Sequence, residues 1–189
     1  MNIADHIASD VECMRDYFTR LLAFAKASSR TLSPNRAGGP QLLPFGIACF
    51  VRPDMACNVY NLVDFWLARL CLYHQPRGHL SPSFEDFKKD KRKRGRNDLQ
   101  TYAKYLTKVA RLDLSAEQPS LCHIDDLRVV RNVFMHAGGH VHLLPDRMRE
   151  RIERMPGVSL EMKLVVVTAQ FIWQSLDHAS QYLQAIARA

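Results

Sequence analysis

The stretch PSLCHIDDLRVVRNVFMHAGG, residues 119–139, decides the fold class of this chain. Its apolar side chains recur at steps of three and four residues, at Ile124, Leu127, Val130 and Phe134. That spacing matches the period of an amphipathic α-helix. Proline is common where a helix begins and glycine is common directly after its end, so the helix should begin near Pro119 and stop at Gly138 and Gly139.

Most of the remaining chain shows the same helical period. Amphipathic helices are predicted over residues 5–27, from Asp54 to about His74, from Asn97 or Asp98 onward, over residues 146–155, and from about Ser159 to Ile186. Ser83 and Asp86 have the spacing of a helix cap around one short turn. Residues 30–53 contain four prolines and a Gly-Gly pair, and therefore predict a connection. No alternation typical of strands is present, so we predict one all-α domain over residues 1–189. It is a bundle of four to five main helices with the last helix at its centre.

The charge of the chain is concentrated in one segment. The 189 residues carry 26 Lys and Arg against 19 Asp and Glu, a net charge of +7. Residues 88–96, KKDKRKRGR, contain seven basic residues and one acidic residue, so this segment alone carries +6. The seven are Lys88, Lys89, Lys91, Arg92, Lys93, Arg94 and Arg96. We interpret the segment as a basic loop that attracts the phosphate backbone of RNA without reading bases. A solvated loop without a ligand is the alternative.

The composition excludes several other classes of protein. A hydrophobic fraction of 47% with 24% charged residues is typical of a soluble globular chain and excludes extensive disorder. The most apolar run, Leu164–Trp173, is shorter than the about 20 residues that span a membrane. Five cysteines without a C-x-x-C pair favour buried free thiols in the reducing cytoplasm. The sequence contains no G-x-S-x-G, glycine-rich phosphate loop or H-E-x-x-H motif.

Two side chains near the end of the 119–139 helix form a candidate catalytic pair. Arg131 lies four residues after Leu127, beside the apolar stripe, so its charge needs a carboxylate, a second subunit or a phosphate as partner. His136 lies about 140° further around the helix, at the C-terminus where the helix dipole favours a protonated ring. A fixed cation beside a proton-transferring histidine is what cleavage of a phosphodiester by its own 2′-hydroxyl requires, and this reaction needs no metal.

The spacing of this pair is not specific by itself, because Arg69 and His74 are separated by the same number of residues. Only the later pair has a polar residue, Asn132, directly after the arginine. This addition makes a chance match much rarer, and it favours Arg131 and His136 over the earlier pair.

The segment LRVVRNVFMHAGG, residues 127–139, resembles the motif of the HEPN superfamily. These are all-α bundles whose fourth main helix ends in R-x4–6-H, with a polar residue, often Asn, after the Arg. The resemblance implies a metal-independent endoribonuclease that cleaves single-stranded RNA to 2′,3′-cyclic phosphate ends, without a cofactor, in toxin–antitoxin or phage defence. It also implies a homodimer with a composite site, catalytic roles for Arg131 and His136, and a supporting role for Asn132.

One position departs from a branch of that family. The branch that pairs with nucleotidyltransferase antitoxins has a Tyr two residues after the motif His, where this chain has Gly138. Control through modification of that Tyr is therefore not expected. An acidic inhibitor or antitoxin protein that covers residues 88–96 is the expected restraint. A catalytically inactive HEPN-like module that binds a protein or nucleic acid is the main alternative, and a helical DNA-binding regulator is a third.

Three further groups of polar residues have competing interpretations. His123, His140 and His142 lie near His136, but a turn separates them and no Cys or Glu stands at a ligand spacing, so no metal site is predicted. Four arginines form either local ion pairs on a surface helix or substrate contacts over the cleft: Arg147, Arg149, Arg151 and Arg154. Asn61 and Asp64 face either the cleft or water.

Overall fold

A computed structural model describes residues 2–31, 48–76, 82–91 and 97–189. Within these ranges lie seven α-helices and one two-stranded sheet. The helices are α1 (Ile3–Thr31), α2 (Ala48–Tyr73), α3 (Phe84–Lys91), α4 (Asp98–Lys108), α5 (Gln118–Ala137), α6 (Asp146–Glu153) and α7 (Ala169–Arg188). The strands are β1 (Val158–Glu161) and β2 (Leu164–Val167). The described residues are therefore mostly helical, as the sequence predicts.

The core of the molecule is formed around α7. This helix packs against α1, α2 and α5, and α2 also packs against α5. Each of the four helices contributes side chains that are almost fully buried, such as Phe18, Leu67, Leu127 and Leu176. Removal of this apolar surface from water is the main force that holds the helices together. The central position of the last helix is confirmed.

Several predicted helix ends are also confirmed. Asn97 begins α4, where its side-chain oxygen accepts a hydrogen bond from the Gln100 amide at 2.8 Å. Ser83 precedes α3, and its hydroxyl oxygen accepts a hydrogen bond from the Asp86 amide at 3.2 Å. Both contacts satisfy amides that have no partner within the first turn of a helix.

The prediction of one continuous helix from Ser159 to Ile186 is wrong. Its first part is an antiparallel hairpin in which Val158 pairs with Val167 and Glu161 with Leu164. Met162 and Lys163 form the two-residue turn with φ angles of 49° and 68°, the left-handed geometry that suits the twist of a hairpin. The run of β-branched side chains at the end of β2 favours a strand over a helix.

Two predicted loops are shorter than expected. The connection over residues 30–53 lies partly outside the described residues, but α2 already begins at Ala48 and includes Pro53. Arg52 anchors this end of α2 through a hydrogen bond to the Val167 carbonyl at 3.3 Å. Pro53 removes one helical N–H donor, and its φ angle is compatible with the helix. Similarly, the predicted basic loop begins as helix, because α3 extends to Lys91. Residues 92–96 lie outside the described part of the chain.

The described cysteines are free, but most of them are not buried as predicted. Cys71 is buried and Cys57 is half-buried, whereas Cys13 and Cys122 are exposed. Both exposed residues lie on outward faces of amphipathic helices, where a small side chain has no apolar partner to pack against. None of the helices in the described ranges combines the length and the apolar character that a membrane span requires.

Candidate active site on helix α5

The end of α5 is fixed by two consecutive glycines with positive φ. Gly138 has φ 55°, and its amide donates to the Phe134 carbonyl at 3.1 Å. Gly139 has φ 79°, and a Cβ atom at this position would lie 2.9 Å from the Phe134 ring. Glycine alone adopts both conformations without strain. The predicted stop of the helix directly after the motif is confirmed.

The β-hairpin holds the segment that follows these glycines. The Val165 amide donates to the Gly139 carbonyl at 2.8 Å, and the Val141 amide donates to the Lys163 carbonyl at 2.9 Å. His140 and Leu164 form an additional antiparallel bridge. The hairpin, which the sequence did not predict, therefore fixes the chain that leaves the motif.

Arg131 is half-buried and lacks an acidic partner within the described ranges. One of its terminal nitrogens donates to the Asn132 side-chain oxygen at 3.1 Å. Its Nε is buried and has no hydrogen-bond partner among the described residues, a state that it shares with the Nε atoms of Arg52 and Arg149. A guanidinium in this state retains unused donor capacity, which an anion could satisfy.

The charge of Arg131 acts on helix α2. Burial raises the pKa of the Cys57 thiol, and the positive charge of Arg131 opposes this increase. Burial also raises the pKa of Tyr60 to about 12, and Arg131 is among the weaker opposing influences there. These interactions place the guanidinium at the edge of α5 that faces α2.

His136 is exposed in the last turn of α5. Its ring forms no hydrogen bond and no ion pair with Arg131 or with any other residue in the described part of the chain. The two side chains leave the helix about 140° apart. The ring is therefore accessible to a substrate or to a second subunit.

Asn132 lies between Arg131 and His136 on the surface of α5. It is bonded to Arg131, and it precedes His136 by four residues, which puts both on one line of the helix surface. Arg128 is four residues before Asn132 on the same line. The half-buried amide of Asn132 therefore lies between the two predicted catalytic side chains.

A cleft beside this line is bounded by α5 and α6. We call it the arginine cleft, because Asn132 lines it together with four arginines: Arg128, Arg147, Arg151 and Arg154. Its volume is about 630 Å³, which is within the usual range for binding sites of small molecules. Neither Arg131 nor His136 lines it, although Asn132 contacts Arg131 directly.

Ion pairs hold α6 in place along the cleft. Arg151 of α6 binds Asp125 at 2.7 Å and Asp126 at 2.6 Å, and Arg128 binds Asp125 at 2.7 Å. Burial acts to raise the pKa of Asp125, but hydrogen bonds from both arginines outweigh it and leave that pKa below its ordinary value. The arginine-rich segment does fold over α5, and Arg151 pairs across helices instead of only within its own.

Lys88 and Lys89 do not line this cleft. Lys88 lies with its Nζ 6.0 Å from the centre of the Phe84 ring, and Lys89 pairs with Asp86 at 3.3 Å. Lys91 ends α3, which packs against α4. The other predicted RNA-binding residues, Arg92, Lys93, Arg94 and Arg96, lie outside the described residues.

The three additional histidines lie in two different environments. His123 binds the Ser175 hydroxyl at 3.0 Å and stacks at 4.5 Å on His178 of α7, so it belongs to the interface of α5 and α7. The rings of His140 and His142 lie 5.5 Å apart beyond the end of α5. Among the described residues, no group of three or more His, Cys, Asp or Glu side chains is arranged to hold a metal ion.

The remaining polar candidates are also placed by the structure. Asp64 is half-buried, and its charge adds to the effect of burial in raising the pKa of Tyr102 on α4, whereas Asn61 is exposed on α2. In the earlier pair, Arg69 lies over the Phe65 ring at 4.1 Å, and His74 binds the Ile186 carbonyl at 2.8 Å. That pair therefore has structural contacts, whereas among the described residues Arg131 forms no ion pair and His136 forms no hydrogen bond.

Comparison of the chain with protein-family models, curated proteins and solved structures gave no match in any of the three. A function for this chain therefore has to be inferred from the geometry and chemistry of the candidate site. The arginine cleft was the main feature that sequence reasoning left undecided. The sequence pattern that could have indicated this cleft is the spacing of Arg147, Arg151 and Arg154. It puts three cations on one face of the segment formed by α6 and the residue that follows it.

Proposed function

We propose that this protein is a metal-independent endoribonuclease of the HEPN type that cleaves single-stranded RNA and leaves 2′,3′-cyclic phosphate ends. The observation that carries the proposal is the state of Arg131. Its guanidinium is half-buried, has no acidic partner in the described ranges, and keeps its Nε without a hydrogen bond. A phosphate would supply the missing acceptor.

In the proposed reaction, the 2′-oxygen of the substrate attacks the adjacent phosphorus and the bond from phosphorus to the 5′-oxygen breaks. The proton of the 2′-hydroxyl is accepted by a base, and the departing 5′-oxygen receives a proton from an acid. His136 transfers these protons, because its ring is exposed and forms no hydrogen bond with the residues that the structure describes. Arg131 stabilises the additional negative charge on the phosphorane, and Asn132 orients the guanidinium through the 3.1 Å hydrogen bond.

We also propose that the active form is a homodimer. Arg131 and His136 point about 140° apart on one helix, so a second copy of α5 would bring complementary groups to one phosphate. A two-fold arrangement would let one His136 act as base while its symmetry mate acts as acid. In this proposal the enzyme acts in the cytoplasm as a toxin or phage-defence nuclease, and an acidic inhibitor restrains it.

The second candidate function is a HEPN-like module that binds RNA or a protein without cleaving. One observation favours it: among the described residues no hydrogen bond joins His136 and Arg131 within the monomer, and the two side chains leave α5 about 140° apart. The two functions differ in whether RNA is cut and in whether dimerisation is needed for cutting.

Cleavage of single-stranded RNA in excess EDTA tests the proposal. The wild-type protein should cut, and the new ends should carry 2′,3′-cyclic phosphate by mass spectrometry. Arg131→Ala and His136→Ala should each lower the cleavage rate by at least about 100-fold, since both groups act in the transition state. Arg69→Ala and His142→Ala are matched controls and should cut normally.

Three results would decide against the enzyme. Cleavage that stops on chelation would indicate a metal-dependent reaction. Cleavage that survives both Arg131→Ala and His136→Ala would assign the activity to another site or to a contaminant. Salt-sensitive RNA binding without any cleavage would favour the binding module.

A further inference from the structure

We propose that the arginine cleft binds the RNA strand next to the scissile phosphate, and that Arg147 and Arg154 contact its backbone phosphates. The inference rests on the proposed ribonuclease function, because the cleft reaches the motif only through Asn132. A strand that lies in the cleft would pass Asn132 and present its next phosphate to Arg131.

The four arginines of the cleft fall into two groups. Arg128 and Arg151 are engaged by Asp125 and Asp126, and these contacts hold α6 against α5. Their charges are largely compensated, so we assign them a supporting role.

The other two arginines are available to a ligand. Arg147 is exposed and forms no ion pair within the described ranges. The Arg154 side chain is 81% exposed, and its acidic neighbour Glu150 is 3.9 Å away. Weak, exposed pairs of this kind contribute little and exchange readily for a better anion. Arg147 and Arg154 are therefore the cations that can meet phosphate.

The spacing of these two residues suits an extended strand. They are seven residues apart, so they lie on the same face of the α6 segment and about 10 Å apart along its axis. Between them, Arg151 points to α5 and carries the interhelical ion pairs. Two separate phosphates of one strand could therefore be bound at once.

The floor of the cleft is apolar. Val129 and Met155 are buried there, and Met148 is half-buried beside them. A nucleotide combines a flat, weakly polar base with an anionic phosphate, and a thioether packs well on aromatic rings. The lining also contains Asp126, which pairs with Arg151 at 2.6 Å, and Glu150, which lies 3.9 Å from Arg154. These two carboxylates and the apolar floor disfavour an acidic protein, whereas a nucleotide needs apolar surface for its base and only a few cations for its phosphate.

Binding of a 2′-O-methyl oligoribonucleotide tests this inference separately from cleavage, because the methylated oxygen cannot attack the phosphate. Fluorescence anisotropy over a series of salt concentrations gives the affinity and its salt dependence. The test protein carries Arg147→Ala and Arg154→Ala. The control carries Arg20→Ala and Arg188→Ala, which removes the same charge from exposed positions outside the cleft.

Each contact of a single strand with a cation contributes about 0.7 to the slope of log affinity against log salt concentration. Loss of two contacts should therefore lower the slope by about 1.4. With equal affinities at 1 M salt, where the cations are screened, the variant should bind about 25-fold more weakly than the wild type at 0.1 M salt. The control should change affinity by less than about threefold. Unchanged thermal unfolding of both variants would show that α6 remains folded.

Equal effects of the test and control substitutions, no effect of the test substitutions, or no binding by the wild type would overturn the cleft assignment. The proposed function fails in a different way. If the oligonucleotide binds as expected but unmodified RNA stays intact, the cleft is a nucleic-acid site and the ribonuclease proposal is wrong. If unmodified RNA is cut while Arg147 and Arg154 are dispensable for binding, the ribonuclease proposal stands and the assignment of the cleft as a nucleic-acid site is wrong.

Discussion

Substitution of Asp125 by alanine should release α6 from α5. The carboxylate of Asp125 accepts hydrogen bonds from Arg128 and Arg151, both at 2.7 Å. The three side chains are only 28%, 18% and 39% exposed, in that order. The substitution leaves two partly buried cations without this acceptor, although Arg151 retains its bond to Asp126 at 2.6 Å.

The expected loss follows from these contacts. A hydrogen bond to a charged group contributes about 1.5–3 kcal/mol when buried, whereas an exposed ion pair contributes about 0–1 kcal/mol. Partial exposure and the remaining bond of Arg151 put Asp125→Ala between these limits, at about 2 kcal/mol. For a chain of this size, 1 kcal/mol corresponds to about 2–4 °C, so the melting temperature should fall by about 4–8 °C.

Urea and thermal unfolding followed by circular dichroism measure this loss. Asp16→Ala is the matched control, because Asp16 binds Arg20 at 2.9 Å but both side chains are more than half exposed. The control should lose less than about 0.5 kcal/mol. Equal losses in the two variants, or no loss in Asp125→Ala, would refute the assignment of Asp125 as the anchor of α6.

The contribution of Asp125 should also depend on pH. Its pKa in the folded protein is below the ordinary value of 3.8, so folding favours the ionised form. The stabilisation is fully present well above pH 3.8 and is lost as the pH falls through the folded pKa. The difference in unfolding free energy between wild type and Asp125→Ala should therefore shrink in acid, while a pH-independent difference would contradict the ionic origin.

Three further substitutions test the end of α5 and its packing. Gly139→Ala should lower the free energy of unfolding by about 1–3 kcal/mol, because the φ angle of 79° and the nearby Phe134 ring both oppose a Cβ atom. In thermal melts Gly138→Asn should lower stability less than Gly139→Ala does, and the opposite order would contradict the described turn. Burial, and secondarily His178, hold the pKa of His123 below its ordinary value of 6.5, so the neutral ring is favoured in the folded state. Stability should then decrease as the pH falls below 6.5, and His123→Gln should flatten this dependence in urea titrations between pH 5 and 8; an unchanged dependence would assign it to other groups.

Local signals in the sequence predicted those parts of the fold that local chemistry determines. The caps at Ser83 and Asn97 and the glycines after His136 each satisfy or permit a backbone conformation within a few residues. For this reason the start of α4 and the end of α5 follow from the sequence alone.

The hairpin could not be predicted because its signals are ambiguous. The run Leu164–Val167 is short and apolar, and such a run fits a buried helix as well as a strand. Its turn, Met162-Lys163, has positive φ angles without the Asn or Gly that normally indicates them. The hydrogen bonds that join the hairpin to Gly139 and Val141 are tertiary contacts. No local sequence pattern indicates them.

Only the part of the candidate site that lies on one helix could be predicted from the sequence. Arg131, Asn132 and His136 follow from spacing on one helix, whereas the arginine cleft depends on how α6 folds back onto α5. Arg151 and Asp125 are 26 residues apart in sequence, and their pairing is determined by the packing of whole helices. A residue pattern on α6 alone cannot distinguish ion pairs within the helix from ion pairs across the cleft.

In the proposed reaction, RNA is cut by its own 2′-hydroxyl at a site made of Arg131 and His136. This is tested with an RNA that has one mapped cleavage position and a version with a single 2′-deoxy nucleotide on the 5′ side of that position, both in excess EDTA. The deoxy substitution should abolish that cut and leave other cuts unchanged. Cleavage at the deoxy position at an undiminished rate would rule out attack by the 2′-hydroxyl, because no cyclic phosphate can form there.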